Sequence, residues 1–305
     1  MQTNKSVIKA GRYSNRDMKG LVYILPWIVG LFVFQVYPFI SSFLLSFTDK
    51  TMSSTINFVG FENYVYMFTK DRDFFQNVKV TLMYVLIAVP GRVIFALIVA
   101  LILNAEIKGI NFFRTLYYLP SIFGSSVAIS IVWRFLFQNK GAINEVLNNL
   151  GISDINWLGD PKHALLTICI IPIWQFGSSM VLFLAALKNV SRTLYEAAKI
   201  DGGGWWNNLF HVTLPMISPI ILFNLVMQSV GCFKEFSTAY VLTNGGPNKA
   251  TYLYGIKLYK EGFTNFKMGY ASALSWLLFM VILFVTIIIF ISSKRWVFYE
   301  DGGDK

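Results

Sequence analysis

Long apolar runs separated by short polar stretches dominate this chain. Six segments are mostly apolar over about 20 residues or more, the length needed to cross a hydrocarbon layer about 30 Å thick. They lie at 21–47, 80–103, 116–137, 164–187, 217–242 and 270–291. The runs are continuous rather than alternating, which argues against the two-residue period of barrel strands. Backbone amides inside a bilayer must be satisfied within the segment, so each run predicts a helix. The expected fold class is all-α, a polytopic membrane protein with about six transmembrane helices. A polar tail at 1–20 and another at 292–305 flank a membrane domain at 21–291.

Pro38, Pro90, Pro120 and Pro172 fall inside these runs. Each removes a helix hydrogen bond and permits a kink; prolines are also common in membrane helices generally. Between the third and fourth runs, Ile143, Val146, Leu147 and Leu150 recur at helical spacing with Asn144, Glu145 and Asn148 between them. This segment reads either as a short amphipathic helix at the interface, anchored by Trp157, or as a packed loop. Gly159-Asp160-Pro161 then makes a turn.

Composition agrees with the pattern. Hydrophobic residues make up 55% of the chain and charged residues only 14%, against roughly 25% charged in soluble domains. The net charge is +10, yet the basic residues lie between the runs and form no nucleic-acid motif. Lipid, not nucleic acid, is the expected surrounding. Lys5, Lys9, Arg12, Arg16 and Lys19 precede the first run, which places the amino terminus in the cytoplasm. An even number of crossings returns the carboxyl terminus, with Lys294 and Arg295, to the same side, along with 104–115 and 188–216. Lys249, Lys257, Lys260 and Lys267 share one outer segment and do not follow that bias. The polar lead and the long first run are not expected to form a cleavable signal. Cys169 and Cys232 lie inside apolar runs, where packing is their expected role.

The segment 188–216 carries the most informative spacing. Arg192 to Ile200 has good helix formers, Gly202, Gly203 and Gly204 end that helix, and a second stretch from Trp205 reaches Leu214-Pro215. The proline is expected to break this second stretch before the chain re-enters the membrane. Ala197 and Ala198 leave a shallow face for another protein. Glu196, Ala197, Ala198, Gly202, Val212, Leu214 and Pro215 stand at the spacing of the Glu-Ala-Ala signature. In this the chain resembles the permease subunits of bacterial ATP-binding-cassette importers. Gly203 replaces the alanine usual in sugar permeases, a departure expected to loosen the elbow.

Further matches to the maltose and glycerol-3-phosphate type run along most of the chain. They include Tyr37-Pro38, Gly60-Phe61-Glu62-Asn63-Tyr64, Phe113-Arg114-Thr115, Asn156-Trp157-Leu158-Gly159 and Asn244-Gly245-Gly246-Pro247. The resemblance implies the type I importer permease fold in a bacterial cell membrane. It further implies three kinds of partner: a second related permease, two ATP-binding subunits and an extracytoplasmic sugar-binding protein. Coupling to the ATPases would fall to Glu196, Ala197, Ala198, Asp201, Gly202, Leu214 and Pro215. No G-x-x-x-x-G-K-[ST] loop is present to cradle phosphates. ATP and Mg are therefore expected on partner subunits, with no cofactor, metal or catalytic residue in this chain.

Polar groups inside spans usually face the bundle interior. Trp174, Gln175, Ser178 and Ser179 in the fourth run, with Asn224, Gln228 and Glu235 in the fifth, are candidate sugar contacts. Interhelical hydrogen bonding is the competing reading for the same residues. Arg92 sits in the second run. A structural pair with Glu235 or a carbonyl is its favoured reading, with an aqueous path or an anion site for an acidic sugar left open. Two other functions compete: an ion-coupled secondary carrier and a membrane enzyme. The first usually shows internal repeats and buried acids; the second needs a catalytic constellation. Neither is visible.

Overall fold

The apolar runs become helices, several of them interrupted or bounded at prolines and glycines. The computed structural model describes residues 15–51, 56–105, 108–124 and 126–299. The basic lead with Lys5, Lys9 and Arg12, and the tail at 300–305, lie outside the described residues. Helix α1 (Asn15–Leu31) passes through a π-helical turn, Phe32–Val36, into α2 (Tyr37–Leu45). A short α3 (Glu62–Thr69) precedes the long α4 (Phe74–Leu103), and α5 (Ile110–Phe123), α6 (Val127–Phe137) and α7 (Ala142–Asn149) follow. Next come α8 (Pro161–Trp174), α9 (Gly177–Asn189), α10 (Arg192–Ile200) and α11 (Trp205–Asn208). A second π-helical turn, Leu209–Thr213, leads into α12 (Leu214–Phe233). The chain ends through α13 (Ser237–Thr243), α14 (Tyr254–Tyr259), a third such turn at Lys260–Thr264, and α15 (Met268–Ser293).

Among the described residues, four continuous helices are long and apolar enough to cross a membrane: Tyr23–Leu45, Phe74–Leu103, Trp205–Phe233 and Met268–Ser293. The number is six if each of two bent pairs counts as one span. Those pairs are Ile110–Phe123 with Val127–Asn149, bent by 104°, and Pro161–Trp174 with Gly177–Asn189, bent by 45°.

Two expectations about the run at 217–242 and the segment leading into it are corrected. Pro215 does not break the helix, which is continuous from Trp205 to Phe233. The π-helical turn just before it, closed by the Leu214 amide on the Leu209 carbonyl, widens the helix where proline cannot donate and its ring needs room. Pro38 follows Phe32–Val36 in the same way. At its other end the helix stops at Phe233, so Lys234 and Glu235 are not inside it. Glu235 instead accepts from the Thr238 amide at 2.9 Å and caps α13.

Helix α4 forms the axis of the bundle and packs against α8, α9 and α12. Ala88, Ala96 and Ala100 are fully buried along it. A Cβ added to Gly91 would lie 2.6 Å from the Ile173 side chain. Small residues let helices approach closely, which is how packing drives association in lipid. Met180, Phe183 and Ile217 fill the half of the core nearest 188–216. Tyr84, Ile168, Leu253 and Ile256 fill the other half, together with the free cysteines Cys169 and Cys232. Phe34, Leu86 and Phe284 are exposed to the outside of the bundle, as side chains facing acyl chains would be.

The end remote from 188–216 is fastened by polar ties that the sequence did not reveal. Lys257 and Asp71 form a buried ion pair at 2.6 Å, and the Tyr270 hydroxyl donates to the same carboxylate. Burial by itself would raise the Asp71 pKa. The hydrogen bonds from Lys257 and Tyr270 outweigh it and hold the carboxyl below its ordinary value. Asn144 is also buried there, and its amide meets the Asn139 and Ile155 carbonyls, the Ile155 amide and the Trp157 indole. Trp157 packs on Phe137 with ring centroids 5.6 Å apart. The segment is thus a packed loop held by Asn144, with a short helix in it.

Candidate functional site

Two features of the sequence concentrate chemistry, and the structure places them at different depths of the bundle. The first is the elbow between α9 and α12. Helix α10 ends on a pair of reciprocal bonds: the Gly203 amide donates to the Ala198 carbonyl at 2.8 Å and the Gly202 amide to Lys199 at 3.1 Å. This is the paired arrangement that glycine favours at helix ends. It requires Gly202 at φ +80°, where L side chains are strained. Gly203 follows, bonded back to the end of α10. A Cβ there would lie 2.7 Å from the Ala198 carbonyl, so the bare backbone allows a closer approach. Gly204 is extended and starts α11, whose helix then runs on into α12.

Two contacts fix the angle of the elbow. The Tyr195 hydroxyl bonds Thr213 at 3.0 Å, joining α10 to the foot of α12, and Thr213 in turn donates to the Asn208 carbonyl at 3.2 Å. Nearby, Arg114 donates to the last carbonyl of α4, that of Leu103, at 2.7 Å, a cation at a helix carboxyl end. The outward ridge of α10 holds Glu196, Ala197 and Ile200, all exposed, with Ile200 at 86%. Among the described residues Glu196 has no hydrogen bond or ion pair. Trp205, Trp206 and Phe210 add exposed rings beside it. Leu214 and Pro215 are half-buried at the base. A charged and apolar ridge with no other described residue upon it is suited to fit against another protein.

The second feature is a polar junction where the two bent helix pairs meet. Pro172 and the break after Trp174 leave backbone groups without helical partners, and α5 supplies replacements. Ser121 donates to the Gln175 carbonyl at 3.0 Å and accepts from the Ser178 amide at 3.0 Å. The Gln175 side chain donates to the Gly124 carbonyl at 2.5 Å. At Gly177 an added Cβ would lie 2.6 Å from the Tyr117 carbonyl, so α5 and α9 touch through backbone.

Four of the sequence candidates converge here. Gln175 and Ser179 are enclosed, at 4% and 0% exposure, and bonded across helices. Ser178 and Gln228 are half-buried, and Gln228 donates to Ser179 at 3.1 Å. Three others stand apart. Trp174 is half-buried, its ring 5.4 Å from that of Trp133. Asn224 is fully buried and donates to Ile220 of its own helix. Glu235 caps α13 and makes no pair with Arg92, which donates instead to Ser178 at 3.2 Å. Ser121 was not foreseen; a hydroxyl directly after Pro120 in an apolar run was the available signal.

Residues 65–297 match the protein family described as the binding-protein-dependent transport system inner membrane component. The "Probable ABC transporter permease protein YesP" of Bacillus subtilis is 43% identical, over 96% of each chain. The lactose transport system permease protein LacF of Rhizobium radiobacter is 32% identical, over 96% of this chain and 98% of its own. Among solved structures, a bacterial alginate ABC transporter has a chain that superposes with a TM-score of 0.79 at 23% identity, covering 92% of this chain and 96% of that one. That last likeness establishes the fold.

Proposed function

The chain belongs to the family of binding-protein-dependent transport system inner membrane components, and from that membership we propose that it forms half of the translocation path of an ATP-driven sugar importer. It is a multi-pass membrane transport subunit. The finer reading is that the elbow seats a separate ATPase, a sister permease completes the path, and an extracytoplasmic binding protein delivers a saccharide from the far side. ATP and Mg belong to the ATPase subunits in this reading. The observation that carries it is the exposed ridge of Glu196, Ala197 and Ile200 on a helix whose ending is fixed by Gly202 and whose angle is fixed by Tyr195. A rigid bend can pass on a push; a flexible loop cannot. The switch between inward- and outward-open forms needs a partner that favours one of them, which ATP binding in the docked subunits supplies.

Charge supports the orientation. Lys188, Arg192, Lys199, Lys294 and Arg295 gather at the elbow end. The lysines at the other end are largely answered by acids, as in Lys249–Asp73, Lys257–Asp71 and Lys267–Glu261. Lys and Arg close to span ends favour the cytoplasmic side, which supports the reading that both termini and the elbow lie there. The relatives named for lactose and other saccharides favour a sugar as cargo. The test is reconstitution with the sister permease, ATPases and binding protein in proteoliposomes. ATP-dependent saccharide uptake that Glu196→Lys or Gly202→Asp abolishes, with the variant still inserted, supports the reading. Uptake by this chain alone, driven by an ion gradient, would replace it with the carrier.

A further inference from the structure

A guanidinium stands inside the bundle without a counter-charge. Arg92 lies on α4 eleven residues from its Leu103 end, or about 16 Å along the axis, well within the hydrocarbon. Charges at that depth are costly and are held in place by a partner or a function. The structure supplies one neutral contact, from the Arg92 Nη2 to the Ser178 hydroxyl at 3.2 Å, and the Nε is buried with no acceptor. Among the described residues no carboxylate pairs with it. Glu235, the acid nearest in sequence to the end of α12, is occupied at the start of α13. A guanidinium with a single neutral hydrogen bond matches a carboxylate better than any other common group. Ser178 and Gln228, beside it, are half-buried rather than enclosed.

Resting on the importer reading, we infer that Arg92 selects for acidic sugars, by meeting a carboxylate of the saccharide at the half-buried face where Arg92, Ser178 and Gln228 of α4, α9 and α12 lie together. Aliphatic hydroxyls of a neutral sugar would leave the guanidinium charge unanswered. A uronic-acid unit answers it, and the Ser178 hydroxyl beside the guanidinium can accept or donate to the ring hydroxyls.

The assembled importer in proteoliposomes tests this with trigalacturonate and its methyl ester as probes. Wild type is expected to take the acid about tenfold or more better than the ester, judged by kcat/KM, the difference a charge-assisted hydrogen bond makes. Arg92→Gln should bring that ratio near one, and Arg92→Lys should keep part of it. A wild-type complex indifferent to the carboxylate overturns the inference and leaves the importer intact if neutral sugars enter with ATP. An unchanged ratio in Arg92→Gln also overturns it. So does loss of the sister permease from the purified Arg92→Gln complex, which would make that subunit the source of the carboxylate. ATP-dependent uptake of no saccharide at all would remove both readings.

Discussion

Gly202 and Glu196 act on the elbow in opposite ways, and substitutions separate them. Gly202 stands where an L side chain costs about 1–2 kcal/mol and makes one of the two bonds that end α10. Gly202→Ala is expected to insert normally and to lower ATP-driven uptake severalfold, read in proteoliposomes against equal amounts of protein. Gly203→Ala should behave alike, because its Cβ would press on the Ala198 carbonyl. Glu196 is exposed and makes no bond within the described chain. Its replacement by Lys should change stability by less than about 0.5 kcal/mol and still abolish uptake. A Glu196→Lys variant that melted early in detergent would point to a folding role instead. The glycines and the glutamate were legible in the sequence because their spacing is local. The Tyr195–Thr213 bond that holds the bend was not: it joins residues on either side of the turn, and nothing in either residue alone announces a partner.

At the level of elements, the apolar runs forecast helices well and their interruptions poorly. Hydropathy reports where a chain prefers lipid. It says little about whether a proline will bend, widen or stop a helix inside it. Pro38 and Pro215 each follow a widened turn and leave the helix running. Pro172 lies next to a true break, because Ser121 of another helix takes up the freed groups of Gln175 and Ser178. Ser121→Ala removes both bonds at once in a buried place. We expect it to cost about 1–3 kcal/mol, seen as a lower melting temperature of the purified complex in detergent, with Ser121→Thr largely spared. An alanine variant as stable as wild type would mean that the break holds itself. The end of α12 at Phe233 was hidden for a related reason: the apolar run continues past it into α13, and only Glu235 capping that helix marks the stop.

Across the whole molecule, the two ends differ in how they handle charge. The lysines of the 244–267 segment looked anomalous for an outer loop until their partners were seen. Lys257 is 3% exposed and Asp71 9%, so the pair is buried. Asp71→Asn should destabilise the complex by about 3–5 kcal/mol near pH 7, since it leaves the Lys257 charge without its partner. The Asp71 pKa is lowered on folding, so its contribution is complete above the ordinary carboxylate range and lost as the pH falls through the lowered value. Melting curves of wild type and Asp71→Asn should therefore converge only below about pH 4.

The central claim is that the bend between α9 and α12 is a seat for a separate motor subunit. The chain contains only two cysteines, both buried, so a single introduced thiol can be read cleanly. Ile200→Cys in the assembled importer should be modified by a membrane-impermeant maleimide only from the cytoplasmic side, protected when the ATPase is present, and crosslinked to that ATPase by a short bifunctional reagent. Modification of the same thiol from outside intact cells, or equal labelling with and without the ATPase, would contradict it.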